Sequence, residues 1–280
     1  MKEYQQGDVF VRFGSDLHDV ALWLQRTPRE WSVSQSTTNS ATDSWDLGTG
    51  YDKARQLAET GWTEGARDFA NQLAVLPPND AEPEYTYDVA GYMPDVALYC
   101  AGDPMHMINF GHPQGRKPVV HLVINAVAAG MINANEYRNY GAAITAMVGQ
   151  IEATGRQVEL DVVFVDSLRG GKAILGWKVK RAGDNLDLSA VAYSIAHPAA
   201  FRRLGFALIE RTPRSWQQPG YGHCGSLTKE LAETIGAGEA FLLGGVGVSQ
   251  GACKTMKGAL KFAAQQINKA AGETLVDVKD

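Results

Sequence analysis

The stretch VVHLVINAVAAGMINANEYRNYGAAITAMVGQIEATGRQVELDVVFV, residues 119–165, decides how the fold is read. It opens on an apolar run with little polar alternation, the pattern of a central strand covered on both faces. Tyr137, Tyr140, Gly141, Ile144, Met147, Val148 and Ile151 then recur at helical spacing, and Gly155 is placed to end that helix. QVELDVVFV, residues 157–165, is a second apolar strand. Strand, amphipathic helix and strand in this order predict two parallel strands joined by a right-handed crossover.

Working towards the C-terminus, AILGWKVKR (173–181) alternates Leu175, Trp177 and Val179 with Gly176, Lys178 and Lys180. That is a strand with one wet face, and its short link to the preceding strand predicts a hairpin. LDLSAVAYSIAHPAAFRRLGFALIER (186–211) predicts two helices broken at Pro198, with His197 as a cap. The second helix buries Phe201, Leu204, Gly205 and Leu208 and turns Arg202 and Arg203 outward. SLTKELAETIGAG, EAFLLGGV and CKTMKGALKFAAQQINKAA read as helix, strand and helix. The fold class is therefore α/β, a mixed and mostly parallel sheet flanked by helices.

Towards the N-terminus the signals weaken. SVSQSTTNSATDSWDLGTGYD (32–52) has the turn-residue density of an irregular loop, although Trp31 and Trp45 should pin parts of it to a core. YDKARQLAETG and WTEGARDFANQLAVLPP predict two helices, ended at Gly61 and at Pro77-Pro78. A boundary near Gly115 would separate an irregular, helical N-terminal region (1–115) from an α/β domain (116–280).

Composition narrows the function classes. The chain has 280 residues, 45% of them hydrophobic, which is ample for a core. It contains no apolar run long enough for a membrane span and no signal-peptide pattern at its start, so a cytoplasmic protein is expected, in the host cell if phage-encoded. Cys100, Cys224 and Cys253 lack the spacing of a disulfide framework or a zinc knuckle. The net charge is −5, yet Arg169–Trp216 holds nine basic residues against three acids. That segment is +6 and the remainder −11.

The motifs are weaker than they look. LLGGVGVSQGACKT (242–255) places Ala252 and Cys253 between Gly251 and Lys254, where a phosphate-binding loop needs glycine directly before lysine. It reads as a strand-to-helix turn. GHCGS around Cys224 has the glycines of a nucleophile elbow but no identifiable base. Asp88, Asp95, Asp103 and His106 would form an acidic hydrolase site only if they converged, and their spacing suits turns and caps.

The strand, helix and hairpin of residues 119–181 resemble the opening of a von Willebrand factor A domain; a Rossmann-like sheet is the related alternative. The resemblance implies a metal site after the first strand, built on D-x-S-x-S. This chain has Asn125-Ala126-Val127-Ala128-Ala129 there, so neither the carboxylate nor the hydroxyls are present and magnesium should not bind. GTGYDKARQLAETGWTEG, DVAGYMPDVALYCAGDPMHM and residues 186–211 also resemble an uncharacterised family associated with bacteriophages and mobile elements, which implies no assigned active site. No cofactor and no metal are expected. The first functional expectation is non-enzymatic binding of single-stranded nucleic acid through Lys178, Lys180, Arg181, Arg202, Arg203, Arg211, Arg214 and Trp216. The second is a metal-independent protein-interaction or assembly module. The third is the acidic hydrolase.

Overall fold

The computed structural model describes residues 1–31, 43–74, 85–91, 93–110, 118–128, 130–217 and 223–278. The boundary expected near Gly115 and the stop at Pro77-Pro78 lie outside the described residues. The chain opens with strands β1 (Lys2–Gln6) and β2 (Val9–Gly14), followed by helices α1 (Leu17–Arg26), α2 (Asp43–Asp46), α3 (Tyr51–Thr60) and α4 (Thr63–Ala74). Next come β3 (Tyr85–Asp88), β4 (Met93–Pro94), α5 (Val96–Cys100) and β5 (Met107–Phe110), whose strands form a small antiparallel sheet in the order β3-β5-β4. The decisive stretch gives β6 (Val120–Asn125), α6 (Ala134–Ala153) and β7 (Val158–Leu168). The remainder is β8 (Gly171–Lys180), α7 (Leu188–Val191), α8 (Phe206–Ile209), α9 (Lys229–Thr234), β9 (Phe241–Gly244) and α10 (Met256–Ala271).

The main sheet has six strands in the order β1-β2-β8-β7-β6-β9. It is mixed. The pairs β2/β8, β6/β7 and β6/β9 run parallel, and β1/β2 and β7/β8 antiparallel. The hairpin of residues 158–180 is as the sequence predicts. The region read as irregular and helical supplies two strands of this sheet, because VFVRFG is apolar enough to add in parallel to β8 and Gly7, at φ +59°, makes the tight turn back to β1.

The two faces of the sheet are covered unequally. Leu122 and Ile124, Leu160, Val162 and Phe164, and Leu175 and Trp177 face a thick helical layer that includes α1, α3, α4, α6 and α10. Trp177 is fully buried there and its indole N–H donates to Ser194 Oγ at 3.0 Å. The opposite face carries Val11, Val123, Val163, Val165 and Ile174 under a thin cover that includes Ala232 of α9 and Ala237. Among the described residues that cover leaves a concavity at one end of the face, where charged side chains collect.

Residues 188–209 run helical on both sides of His197-Pro198, with π-helical turns over Ala192–Ala196 and Ala200–Gly205. His197 Nδ1 accepts from the Ala199 N–H at 3.1 Å, the expected capping role. The expected outward placement of Arg202 and Arg203 is overturned. They are 1% and 2% exposed, because this helical segment is packed on all sides rather than lying on the surface.

Candidate functional site

Each basic residue singled out from the sequence can be followed to its partners. Arg203 donates through Nε and Nη2 to Asp46, which is itself fully buried and comes from the loop that looked irregular. Arg202 donates to the carbonyls of Trp45, Gly130 and Ile132, tying α2 to the loop ahead of α6. Arg211 serves Leu24 and Thr27 at the end of α1 and Ala207 in α8. Arg211 thereby satisfies carbonyls at the C-terminal ends of α1 and α8, where the helix supplies no N–H partners. Trp45 lies against both Arg202 and Arg203, which is how it pins its loop.

Lys178 and Lys180 do not share a wet face. A register shift at Leu160/Asp161 places Lys178 opposite Asp161 but Lys180 opposite Leu160, so Val179 is the extra residue of a β-bulge. Lys180 is turned to the helical side, where its Nζ meets Glu152 of α6 at 2.7 Å and the Val158 carbonyl at 3.1 Å. Trp216 is 4% exposed and packs on Phe10, so it offers no stacking platform. Of the eight residues, Arg181 and Arg214 remain exposed. The charge asymmetry of the sequence is spent largely on internal bonds.

The acidic set behaves as turns and caps. Asp95 caps α5 by accepting from the Ala97 and Leu98 N–H groups, Asp103 accepts from Met105 N–H, and Asp88 from Val89 N–H. Those bonds hold the Asp95 carboxyl below the usual range, with the Leu98 N–H the largest cause. Among the described residues these carboxylates and His106 form no cluster with metal-ligand spacing.

Two concavities lie at opposite ends of the main sheet. The first, about 400 Å³, sits at the carboxyl ends of the parallel neighbours β6 and β9, the usual ligand end of such strands. Its wall includes Val127, Ala128, Leu227, Leu242 and Val248 around Gly244, Gly245 and Gly247, with no charged side chain among the described residues. A Cβ on Gly245 would come within 2.5 Å of the Asn125 carbonyl, so the two loops can approach this closely only through glycine. The Asn125 amide donates to Gly225 O at 2.8 Å and accepts from Val165 N–H at 3.2 Å. It is a clamp between segments, with its oxygen already engaged. The glycine-rich run continues as a strand-to-helix turn, as expected, into α10, which Thr255 caps. Cys224 lines the same crevice, and burial, then Asp166, push its thiol upward, against a role as a thiolate nucleophile.

The second concavity, about 1000 Å³, opens at the other end of the sheet, on its thinly covered face. His121 of β6, Glu159 and Asp161 of β7 and Lys178 of β8 form its floor, with His18 and Ile235 in its walls. Strand register makes His121 a neighbour of Glu159 and Asp161 a neighbour of Lys178. His121 Nε2 lies 2.8 Å from Asp161 Oδ2 and 3.9 Å from Glu159 Oε1. Lys178 Nζ donates to Asp161 Oδ1 at 3.0 Å and to Glu159 Oε1. From periodicity alone VVHLVIN and QVELDVVFV are apolar strands. The missed signal is the pair Glu159 and Asp161, two apart and therefore on one face, beside a histidine at the matching position of β6.

With this geometry in view, comparison with known proteins gives a family match. A model of the domain of unknown function DUF7192 covers residues 5–243. The chain belongs to the DUF7192 family. The match runs from β1 into β9, across the boundary expected near Gly115, so the family spans the strands of both expected regions. No curated protein and no solved structure matches this DUF7192 chain. Among the described residues no helix is long and apolar enough to cross a membrane.

Proposed function

We propose that this DUF7192 protein is a metal-independent protein-interaction module that takes an aliphatic side chain, on an uncharged loop of a partner protein, into the crevice at the ends of β6 and β9. The observation that carries this reading is the chemistry of that crevice: an uncharged, largely apolar wall at the end of the strands where α/β sheets bind ligands. Val248 on its rim is 60% exposed, and Met131, on the loop that follows β6, is 89% exposed. The order of strand, helix and hairpin supports the likeness to a von Willebrand A domain, and the loop that would carry that domain's metal ligands is built here from Asn125 and small apolar residues. A phage or mobile-element setting belongs to the same proposal and rests on the resemblance of the sequence segments alone.

Peptides selected from a random display library for binding to the full chain should share an aliphatic anchor. Val248→Arg should abolish their binding without lowering the melting temperature. A library that yields no binder, or binders indifferent to Val248→Arg, overturns the reading. Single-stranded DNA retained at low salt, and lost on Arg181→Glu with Arg214→Glu, would restore the nucleic-acid reading in its place.

A further inference from the structure

We infer that His121, Glu159 and Asp161 form a binding site for a first-row divalent metal ion, with Lys178 occupying the position of the ion when the metal is absent. This site lies at the opposite end of the sheet from the crevice and does not depend on the function proposed for it.

The donor set comes first. One imidazole nitrogen and two carboxylates suit zinc, cobalt, manganese or iron in the divalent state, whereas a magnesium or calcium site would be built from oxygen alone. One ligand atom from each of the three residues can be chosen so that all lie within 4.8 Å of one another. Ligands about 2.0–2.2 Å from a tetrahedral ion stand some 3–4 Å apart, so small rotations of the side chains suffice. Three adjacent residues of a sheet hold the donors: His121 and Glu159 are register partners, and Asp161 is two positions along the same strand. A site on strands is better fixed than one on loops.

The lysine is the second observation. Its ammonium sits against Glu159 and Asp161, the same carboxylates that would bind the ion, so the site already holds a positive charge. Lys178 is not locked in. Its side chain is 21% exposed at the edge of the large cavity, and its four-carbon stem can carry the ammonium into that space. Metal entry then exchanges one cation for another. His121 Nε2 would give up its bond to Asp161 and present its lone pair to the ion, with the ring proton on Nδ1. Three protein ligands leave a coordination position free on the side of the cavity, the arrangement of metal sites that act on a bound molecule.

The competition yields the test. Full-length protein, stripped with chelator, is titrated with zinc by calorimetry and with cobalt by visible absorption. We expect one ion per chain, cobalt bands of a four- or five-coordinate nitrogen–oxygen site, and no sulfur-to-cobalt charge-transfer band of the kind that Cys100 or Cys224 would give. Lys178→Met should tighten binding at least tenfold, because it removes the competing cation and keeps the stem. His121→Ala and Asp161→Asn should each weaken it at least tenfold. Should either variant fail to fold, Glu159→Gln, whose side chain is more exposed, serves in its place with the same expected loss. No saturable binding, a thiolate spectrum, or a Lys178→Met protein that binds no more tightly than the wild type overturns the inference.

Discussion

His197 is buried between Trp62 and Tyr193, and its pKa is lowered to about 3, by desolvation first and by Arg138 second. The native protein therefore keeps it neutral while the unfolded chain protonates it near its ordinary value of about 6.5. Between those two values the unfolded state binds the extra proton, so stability is full above pH 6.5 and falls as the pH is lowered towards 3. Urea unfolding at pH 7 and pH 5 should show a loss approaching about 1.4 kcal/mol per pH unit from this residue. His197→Asn, which keeps an acceptor for Ala199 N–H, should flatten that slope; an unchanged slope would assign the acid sensitivity to other groups. Arg203 and Asp46 make the second prediction at this scale. Asp46→Asn leaves a buried guanidinium without its counter-charge and should cost about 3–5 kcal/mol, measured in the same assay. A cost below about 1 kcal/mol would mean that solvent reaches the pair.

Among the elements, the junction of β2 with β8 binds the N-terminal hairpin to the rest of the sheet. Gly171 sits at φ +136°, and a Cβ there would lie 1.9 Å from the Asp8 carbonyl, which accepts from Lys172 N–H. Gly171→Ala should therefore destabilise by about 1–3 kcal/mol. The loss should be local. Hydrogen exchange should speed up in β1 and β2 before β6 and β7, and uniform acceleration would show that the hairpin does not open separately. The bulge at Val179 is the other decisive detail, since it sends Lys180 to Glu152 and leaves Lys178 with Glu159 and Asp161. Alternation in AILGWKVKR was legible; one extra residue in the ladder was not, because a bulge depends on the partner strand.

For the molecule as a whole, the N-terminal strands make a direct prediction about the expected division at residue 115. β2 hydrogen-bonds to β8, and Phe10, Leu17 and Leu24 belong to the same core as Phe164 and Trp177. Residues 116–280 expressed alone should lack a cooperative thermal transition and bind hydrophobic dye, whereas a sharp transition would establish them as an independent domain. The surface charge makes another. With Lys180, Arg202, Arg203 and Arg211 buried, any affinity for single-stranded DNA should be weak and its salt dependence shallow, in line with few phosphate contacts.

What the sequence determined by itself was whatever depends on neighbours along the chain. Periodicity gives β6, α6 and β7, Gly61 marks a helix end, and Asp95 and His197 are caps as their local sequence suggests. Each of these is settled within about one turn of helix or one strand. Tertiary structure alone decided where the charges went. Arg203 meets Asp46 across 157 positions, and His121 meets Asp161 across 40. A charged side chain on a helix reads as solvent-facing from its own segment, yet the cost of burying it vanishes from the argument once a distant carboxylate or a carbonyl at another helix end is brought to it. The same holds for the cavity floor, whose members sit on three strands and become one cluster through sheet register.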